Sequence, residues 1–197
     1  MAPGVYIVES GNPLFYKTQG VKKALCTYYN DFEEWNGEYS ADSEYSLWWA
    51  TAPEDYKNPH IRYQFEFLRA VITEDAPEGS IYSEKLAIWY EDGVITEEQL
   101  ANAYFIKSKE NGQFVSVSNI FDDYTGANKL SSDIGFTYEP EYPYIVLEQG
   151  AYKFNIWSPV GPNNCLHTEG HNNGAGIAGD IVHWNGGATE AASLWEL

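Results

Sequence analysis

Four residues near the C-terminal end have the chemistry of metal ligands, or of a nucleophile with its base. They are Cys165, His167, His171 and His183. Cys165 and His167 are two positions apart, so on a β-strand their side chains would point to the same face. A zinc site needs three or four such ligands in a tetrahedral array. A thiol nucleophile needs a base within hydrogen-bond reach and a group that orients that base.

The surrounding sequence favours neither chemistry. No Cys-x-x-Cys pair accompanies Cys165, and no elbow motif presents it as a nucleophile. The carboxylate pairs Glu33-Glu34 and Glu97-Glu98 are adjacent in sequence, so they would point apart or into solvent rather than face each other as in a glycosidase. We therefore predict no metal site, no cofactor and no enzymatic activity. A small hydrolase that uses Cys165 and a Cys26–Cys165 disulfide both remain open alternatives.

The charge of the chain limits the partners it can have. Eleven Lys and Arg stand against 29 Asp and Glu, which gives a net charge of −18. Nucleic-acid binding depends on basic side chains that displace counterions, so this surface would repel a polyanion. An anionic membrane surface is disfavoured for the same reason, and no apolar stretch reaches membrane-spanning length. We expect a neutral or cationic partner, no nucleic acid and no membrane insertion.

Short runs of β-branched and aromatic residues follow one another along the chain, separated by Gly, Pro, Asn and Asp. The clearest runs are "VYIVES" (5–10), "IRYQFEFL" (61–68), "AYFIKS" (103–108), "FVSVS" (114–118), "YIVLE" (144–148) and "YKFNIW" (152–157). This pattern is typical of an all-β sandwich or barrel. One segment, "TEEQLANA" (96–103), predicts a short helix capped by Thr96.

A sequence motif near the start of the chain recurs at its end. Both "EWNGEYSADSEYSLWW" (34–49) and "DIVHWNGGATEAASLWEL" (180–197) run from Trp-Asn-Gly to Ser-Leu-Trp. Each closes a unit of roughly 40 to 50 residues that opens with an aromatic strand, a length typical of closed repeat architectures. We expect Trp48 and Trp195 to fill the same core position in two repeats.

The stretch "NCLHTEGHNNGAGIAGDIVHWNGGATEAASLW" resembles one repeat of the ricin-type β-trefoil lectins. The resemblance implies one all-β, trefoil-like domain over residues 1–197, with lobes at about 4–50, 103–149 and 151–197. The segment at about 51–102 fits no repeat, and we interpret it as a large insertion between lobes one and two. Alternatively, its "HIRYQFEFLRAV" opens a fourth lobe.

The resemblance also implies sugar pockets, in which an aromatic ring stacks on the ligand. In the third lobe the stacking aromatic falls on Trp184, and the family's carboxylate falls on His167. Asn185 and Asp180 offer further polar contacts, and Trp35 would be the counterpart of Trp184 in the first lobe. Other polar positions of the family fall on Val182, Ala192 and Ser193.

We therefore expect a non-catalytic carbohydrate-binding module that binds a glycan or oligosaccharide by aromatic stacking. The resemblance implies attachment to a larger glycan-active protein, often bacterial, that is secreted or on the cell surface. The chain opens on Met-Ala-Pro-Gly without a signal peptide, so we expect a domain of such a protein. The alternative is a structural or protein-interaction trefoil that does not bind sugar.

Overall fold

A computed structural model describes residues 1–29, 45–117, 132–160, 165–168, 179–184 and 186–197 of the 197-residue chain. The strands in these ranges are β1 (Gly4–Tyr6), β2 (Glu9–Ser10), β3 (Lys23–Tyr29), β4 (Tyr45–Thr51), β5 (Phe65–Val71), β6 (Ser80–Tyr82), β7 (Ala103–Ser108), β8 (Phe114–Val117), β9 (Ser132–Thr137), β10 (Tyr144–Gly150), β11 (Lys153–Trp157), β12 (Cys165–Thr168), β13 (Gly179–Trp184) and β14 (Trp195–Glu196). The helices are α1 (Pro13–Gln19), α2 (Glu84–Glu91) and α3 (Glu97–Leu100).

Half of the strands form a closed barrel. Antiparallel pairing runs from β1 to β5, β7, β10, β11, β14 and β2. Because β1 and β2 belong to one run of chain, residues 4–10, the pairing of β14 with β2 closes the ring. Closure leaves the barrel without the exposed edges of an open sheet.

Three antiparallel hairpins cover the barrel, one for each lobe. They are β3–β4, β8–β9 and β12–β13, and β13 pairs with both β4 and β9. A barrel strand is joined to the hairpin of its lobe by a single residue pair: Glu9 with Ala24, Lys107 with Phe114, and Trp157 with Cys165. A closed barrel with three hairpins is the β-trefoil topology, so the predicted all-β, trefoil-like fold is confirmed.

These three joining pairs define equivalent positions in the lobes. In each lobe, the residue three positions before the barrel residue of the joining pair is itself paired with an aromatic residue. That aromatic residue belongs to the strand that closes the lobe. The pairs are Tyr6 with Phe65, Tyr104 with Tyr144, and Phe154 with Trp195. Phe65, Tyr144 and Trp195 are each fully buried, so the three lobes supply equivalent rings to one common interior.

The predicted equivalence of Trp48 and Trp195 is wrong. Trp48 lies on β4, a hairpin strand, where it pairs with Cys26 and Asp180. Trp195 lies on β14, a barrel strand, and its counterpart in the first lobe is Phe65. The two Ser-Leu-Trp motifs therefore lie on different strands of their lobes.

The predicted end of the first lobe at residue 50 is also too early. β5 pairs with β1 on one side and β7 on the other, so it is the barrel strand that completes the first lobe. Its alternating residues Phe65 and Phe67 are fully buried in the core. The segment that follows, residues 72–102, contains β6, α2 and α3. The alternative of a fourth lobe is wrong for the same reason.

The helices follow their local sequence. Thr96 caps α3 in a reciprocal capping box with Gln99, which confirms the helix predicted there. Helix α1 was not predicted, although Asn12 caps it and Pro13 occupies its first turn. In the part of the chain that the structure describes, no helix is both long and apolar enough to cross a bilayer.

Candidate functional site

The two faces of the third-lobe hairpin differ in character. On β12 and β13, Leu166 pairs with His183 and faces the core, where both side chains are fully buried. Alternate residues of a strand point to opposite faces. Cys165 pairs with Trp184 and shares the outer face with His167. The predicted residues Trp184 and His167 therefore lie on the same side of the hairpin.

The outer face places an indole, an imidazole and a carboxylate close together. The rings of Trp184 and His167 lie 6.1 Å apart between centroids, and Trp184 is half-buried. Glu190 Oε1 lies 3.6 Å from His167 Nε2, just beyond hydrogen-bond distance. We call Trp184, His167 and Glu190 the third-lobe site.

Within this site, His167 lies beneath the surface and is hardly accessible to a ligand. Its side chain is only 4% exposed. Burial lowers the pKa of His167, and the nearby Glu190 carboxylate opposes that shift without reversing it. The imidazole is therefore neutral at neutral pH. Trp184 and the partly exposed Glu190 carboxylate are the groups that a ligand would meet.

The loop that carries Glu190 is tied to the barrel. Asn155, which is buried on β11, accepts a hydrogen bond from the Gly187 amide at 2.7 Å and donates one to the Ser193 carbonyl at 2.8 Å. A Cβ atom at Gly186 would lie 2.2 Å from Cys165 Sγ, so only glycine allows this approach. The loop therefore holds Glu190 in place against the hairpin.

His183 belongs to the core rather than to the third-lobe site. Its Nε2 lies 3.1 Å from the Tyr144 hydroxyl, and burial lowers its pKa to about 3. His183 and His167 point to opposite faces, so they cannot bind one metal ion together. Among the described residues no three His, Cys, Asp or Glu side chains converge on a metal position, and His171 lies outside those residues.

Both cysteines are buried free thiols. Burial raises the pKa of Cys26 and of Cys165 to about 12. Because the thiolate is the reactive species, neither side chain is a nucleophile at neutral pH. This environment argues against a hydrolase that uses Cys165.

For three of the predicted site residues the side chain lies outside the part of the chain that the structure describes. Trp35 and Asn185 lie outside the described residues, as does the side chain of Asp180, whose backbone pairs with Trp48 in β13. The register nevertheless corrects one prediction. Cys165 and Ala24 are equivalent residues of the joining pairs, and they pair with Trp184 and Ala50, so the counterpart of Trp184 is Ala50 and not Trp35.

Glu190 was not predicted as a site residue. Its carboxylate lies 3.6 Å from His167, the position at which the resemblance put the family's carboxylate. No spacing rule links the two residues, because the contact depends on the path of the loop from Gly186 to Ser193. The Gly186-Gly187 pair was the only local indication that the loop turns back closely on the hairpin.

Comparisons with solved structures agree with this fold. The chain is similar to a designed threefold-symmetric protein, ThreeFoil, with a TM-score of 0.51 and 10% identity over 98% of this chain and 96% of that one. It is also similar to a ricin B-like lectin of Macrolepiota procera in complex with lactose, with a TM-score of 0.50 and 12% identity over 100% and 96%.

A third solved structure is a Caenorhabditis elegans protein of unknown function, with a TM-score of 0.53 and 12% identity over 100% of this chain and 94% of that one. No protein-family model matches the sequence, and no curated protein matches it. At these identities the likeness establishes the fold alone. The chain is a β-trefoil, and its structural neighbours include a ricin B-like lectin.

Proposed function

We propose that this β-trefoil is a non-catalytic carbohydrate-binding module and that its third-lobe site binds a glycan. The observation that carries the proposal is the half-buried Trp184 indole and the Glu190 carboxylate, which both lie next to His167, with Glu190 on a loop that is hydrogen-bonded to the barrel. The fold is one that a lectin in complex with lactose also adopts. The module would bring a larger secreted or cell-surface protein to its glycan.

The chemistry of the site suits a sugar. The apolar C–H face of a pyranose stacks on an indole, while its hydroxyl groups need acceptors and donors at the rim. Glu190 is an acceptor with its carboxylate partly exposed. The neutral His167 lies beneath these groups and fixes their spacing. Asn185 and Asp180 remain proposed polar contacts.

Charge restricts the glycan. Glu190 borders the site, and the whole chain has a net charge of −18. Like charges in a partly desolvated site repel, so an acidic sugar such as a uronate would bind poorly. We propose neutral glycans as the ligand class.

A structural or protein-interaction role is the second candidate. Two polar positions of the lectin family fall on Ala192 and Ser193, and both side chains are fully buried in this chain. They cannot contact a ligand there. If Trp184 and Glu190 are insufficient without them, the trefoil would contact a protein rather than a sugar.

A glycan array with wild type and Trp184→Ala tests the proposal. We expect binding to neutral glycans in the wild type and at least about a fivefold loss in Trp184→Ala, since stacking on an aromatic ring is worth about 1 kcal/mol or more. Circular dichroism checks that the variant is folded. Trp48→Ala is the matched control, because Trp48 is also half-buried but stacks on Tyr28 in the first lobe. Array-wide absence of binding, or equal binding by Trp184→Ala, would favour the protein-interaction candidate.

A further inference from the structure

A cleft of about 440 Å³ lies away from the third-lobe site. Its walls combine two tyrosine rings, two glutamates and two aliphatic side chains. They are Ile7, Glu9, Tyr56, Tyr152, Glu196 and Leu197. We call it the Tyr152 cleft. An apolar and aromatic lining with a small number of polar groups is typical of a small-molecule site.

Tyr152 is placed in the cleft by an unusual turn. Gly150 pairs with Lys153, so Ala151 and Tyr152 form a two-residue turn between β10 and β11. Their φ angles are 53° and 62°, values at which such turns strongly prefer Asn-Gly. Tyr152 is nevertheless 88% exposed, so its ring contributes little to the core. Neither turn geometry nor core packing explains a tyrosine at this position.

The two glutamates of the cleft differ in what they already bind. Glu9 and Glu196 are paired residues on neighbouring strands. Glu9 is engaged on both oxygens, because Lys22 Nζ lies 2.6 Å from one and the Tyr56 hydroxyl donates to the other. Glu196 is 39% exposed and lies 3.7 Å from the same Lys22 Nζ. One ammonium thus serves two carboxylates, and the cleft retains a negative charge near Glu196.

We propose that the Tyr152 cleft binds an organic ammonium cation, with the charged head group against the Tyr152 ring and the Glu196 carboxylate. Tyrosine faces attract cations through the ring quadrupole, and a carboxylate at the same place adds an ion pair. Tyr56, which is half-exposed, supplies a second ring at the wall. The net charge of −18 raises the local concentration of cations around the chain. This site is independent of the proposed glycan site.

Choline and its uncharged isostere 3,3-dimethylbutan-1-ol test the role of charge, because the two molecules have nearly the same shape. Titration of ¹⁵N-labelled protein with each probe would be followed by amide chemical shifts. We expect saturable shifts at the residues that line the cleft, and choline to bind about threefold to tenfold more tightly than the alcohol. Equal affinity for the two probes, or shifts that do not saturate at these residues, would overturn the proposal.

Two variants identify the groups responsible. Ala151→Asn/Tyr152→Gly gives the turn its preferred residues, so we expect a fold at least as stable as wild type and no choline binding. Glu196→Gln should reduce the preference for choline over the alcohol without abolishing it, because Tyr152 and Tyr56 still line the cleft. Tyr138→Ala is the matched control, because Tyr138 is 80% exposed but does not line the cleft. Unchanged choline binding in either cleft variant would contradict the assignment, and Trp184→Ala should leave choline binding intact whether or not glycans bind.

Discussion

The hairpins of the first and third lobes have the same register but different outer faces. Facing the core, Leu25 pairs with Trp49 in the first lobe, at the positions of Leu166 and His183 in the third. All four side chains are buried. Facing outward, Ala50 of the first lobe occupies the position of Trp184. At this outward position the third lobe therefore has an indole where the first lobe has a methyl group.

This difference separates what the fold requires from what a ligand would require. Inward positions share one interior, so each must fill a similar volume with a large side chain. Outward positions have no such constraint, and a large aromatic ring there needs another explanation. Trp184 is such a ring, and the loop from Gly186 to Ser193 is held against it. Trp48 of the first lobe also faces outward, but it stacks on Tyr28. The position of Trp184 therefore distinguishes the third lobe from the first.

The largest effect is expected in the shared interior. Trp195→Ala and Phe65→Ala remove equivalent rings that are fully buried, so each should lower the free energy of unfolding by about 3–5 kcal/mol. Trp195→Ala should cost more, because its indole N–H also donates to the Leu166 carbonyl at 2.9 Å. Urea unfolding measures both values. A loss below about 1 kcal/mol for either variant would show that the two rings are not equivalent core residues.

A smaller effect is expected where the third-lobe loop meets its hairpin. Gly186→Ala would place a methyl carbon 2.2 Å from Cys165 Sγ, so the loop must move. We expect a loss of about 2–3 kcal/mol in urea unfolding, together with weaker glycan binding. Gly4→Ala is the control, since its Cβ would meet only ordinary contacts at 3.6 Å or more. Wild-type stability and binding in Gly186→Ala would show that the loop does not support the site.

The smallest effect concerns His183, which takes the core position that Trp49 occupies in the first lobe. Its pKa of about 3 lies below the unfolded value of 6.5, so only the unfolded chain gains a proton as the pH falls below 6.5. This group should therefore remove about 2 kcal/mol of stability between pH 7 and pH 5.

The double variant Tyr144→Phe/His183→Phe tests this assignment. It replaces both hydrogen-bonded partners by apolar rings, so we expect near wild-type stability at pH 7. Its loss of stability between pH 7 and pH 5 should be smaller than that of wild type by about 2 kcal/mol. Urea unfolding at the two pH values gives the comparison. Equal losses in the two proteins would mean that His183 is protonated in the folded state.

Local patterns in the sequence predicted much of the fold. Alternating apolar residues marked the barrel strands, and Thr96 marked the start of α3, because both depend on neighbouring residues. The repeated Ser-Leu-Trp motif led to a wrong alignment of the lobes. Trp48 lies on a hairpin strand and Trp195 on a barrel strand, so the Ser-Leu-Trp motif alone does not determine the strand on which it lies.

The candidate site was less predictable for a similar reason. Trp184 and His167 share a strand pair, so alternation along the strands brought them together. Glu190 reaches His167 through a loop whose path depends on Asn155, a residue of another strand. Likewise Tyr152 and Glu196 meet at the cleft from separate parts of the chain. Contacts that depend on barrel closure are not encoded in local spacing.

The most direct test of the lobe-specific site is an amide and indole NMR titration with the best glycan from the array. If the third-lobe site binds the glycan, the Trp184 indole N–H should show the largest saturable shift, with further shifts from His183 to Glu190 and none at Ala50. Largest shifts at Tyr28 and Trp48 of the first-lobe hairpin, with Trp184 unchanged, would contradict it.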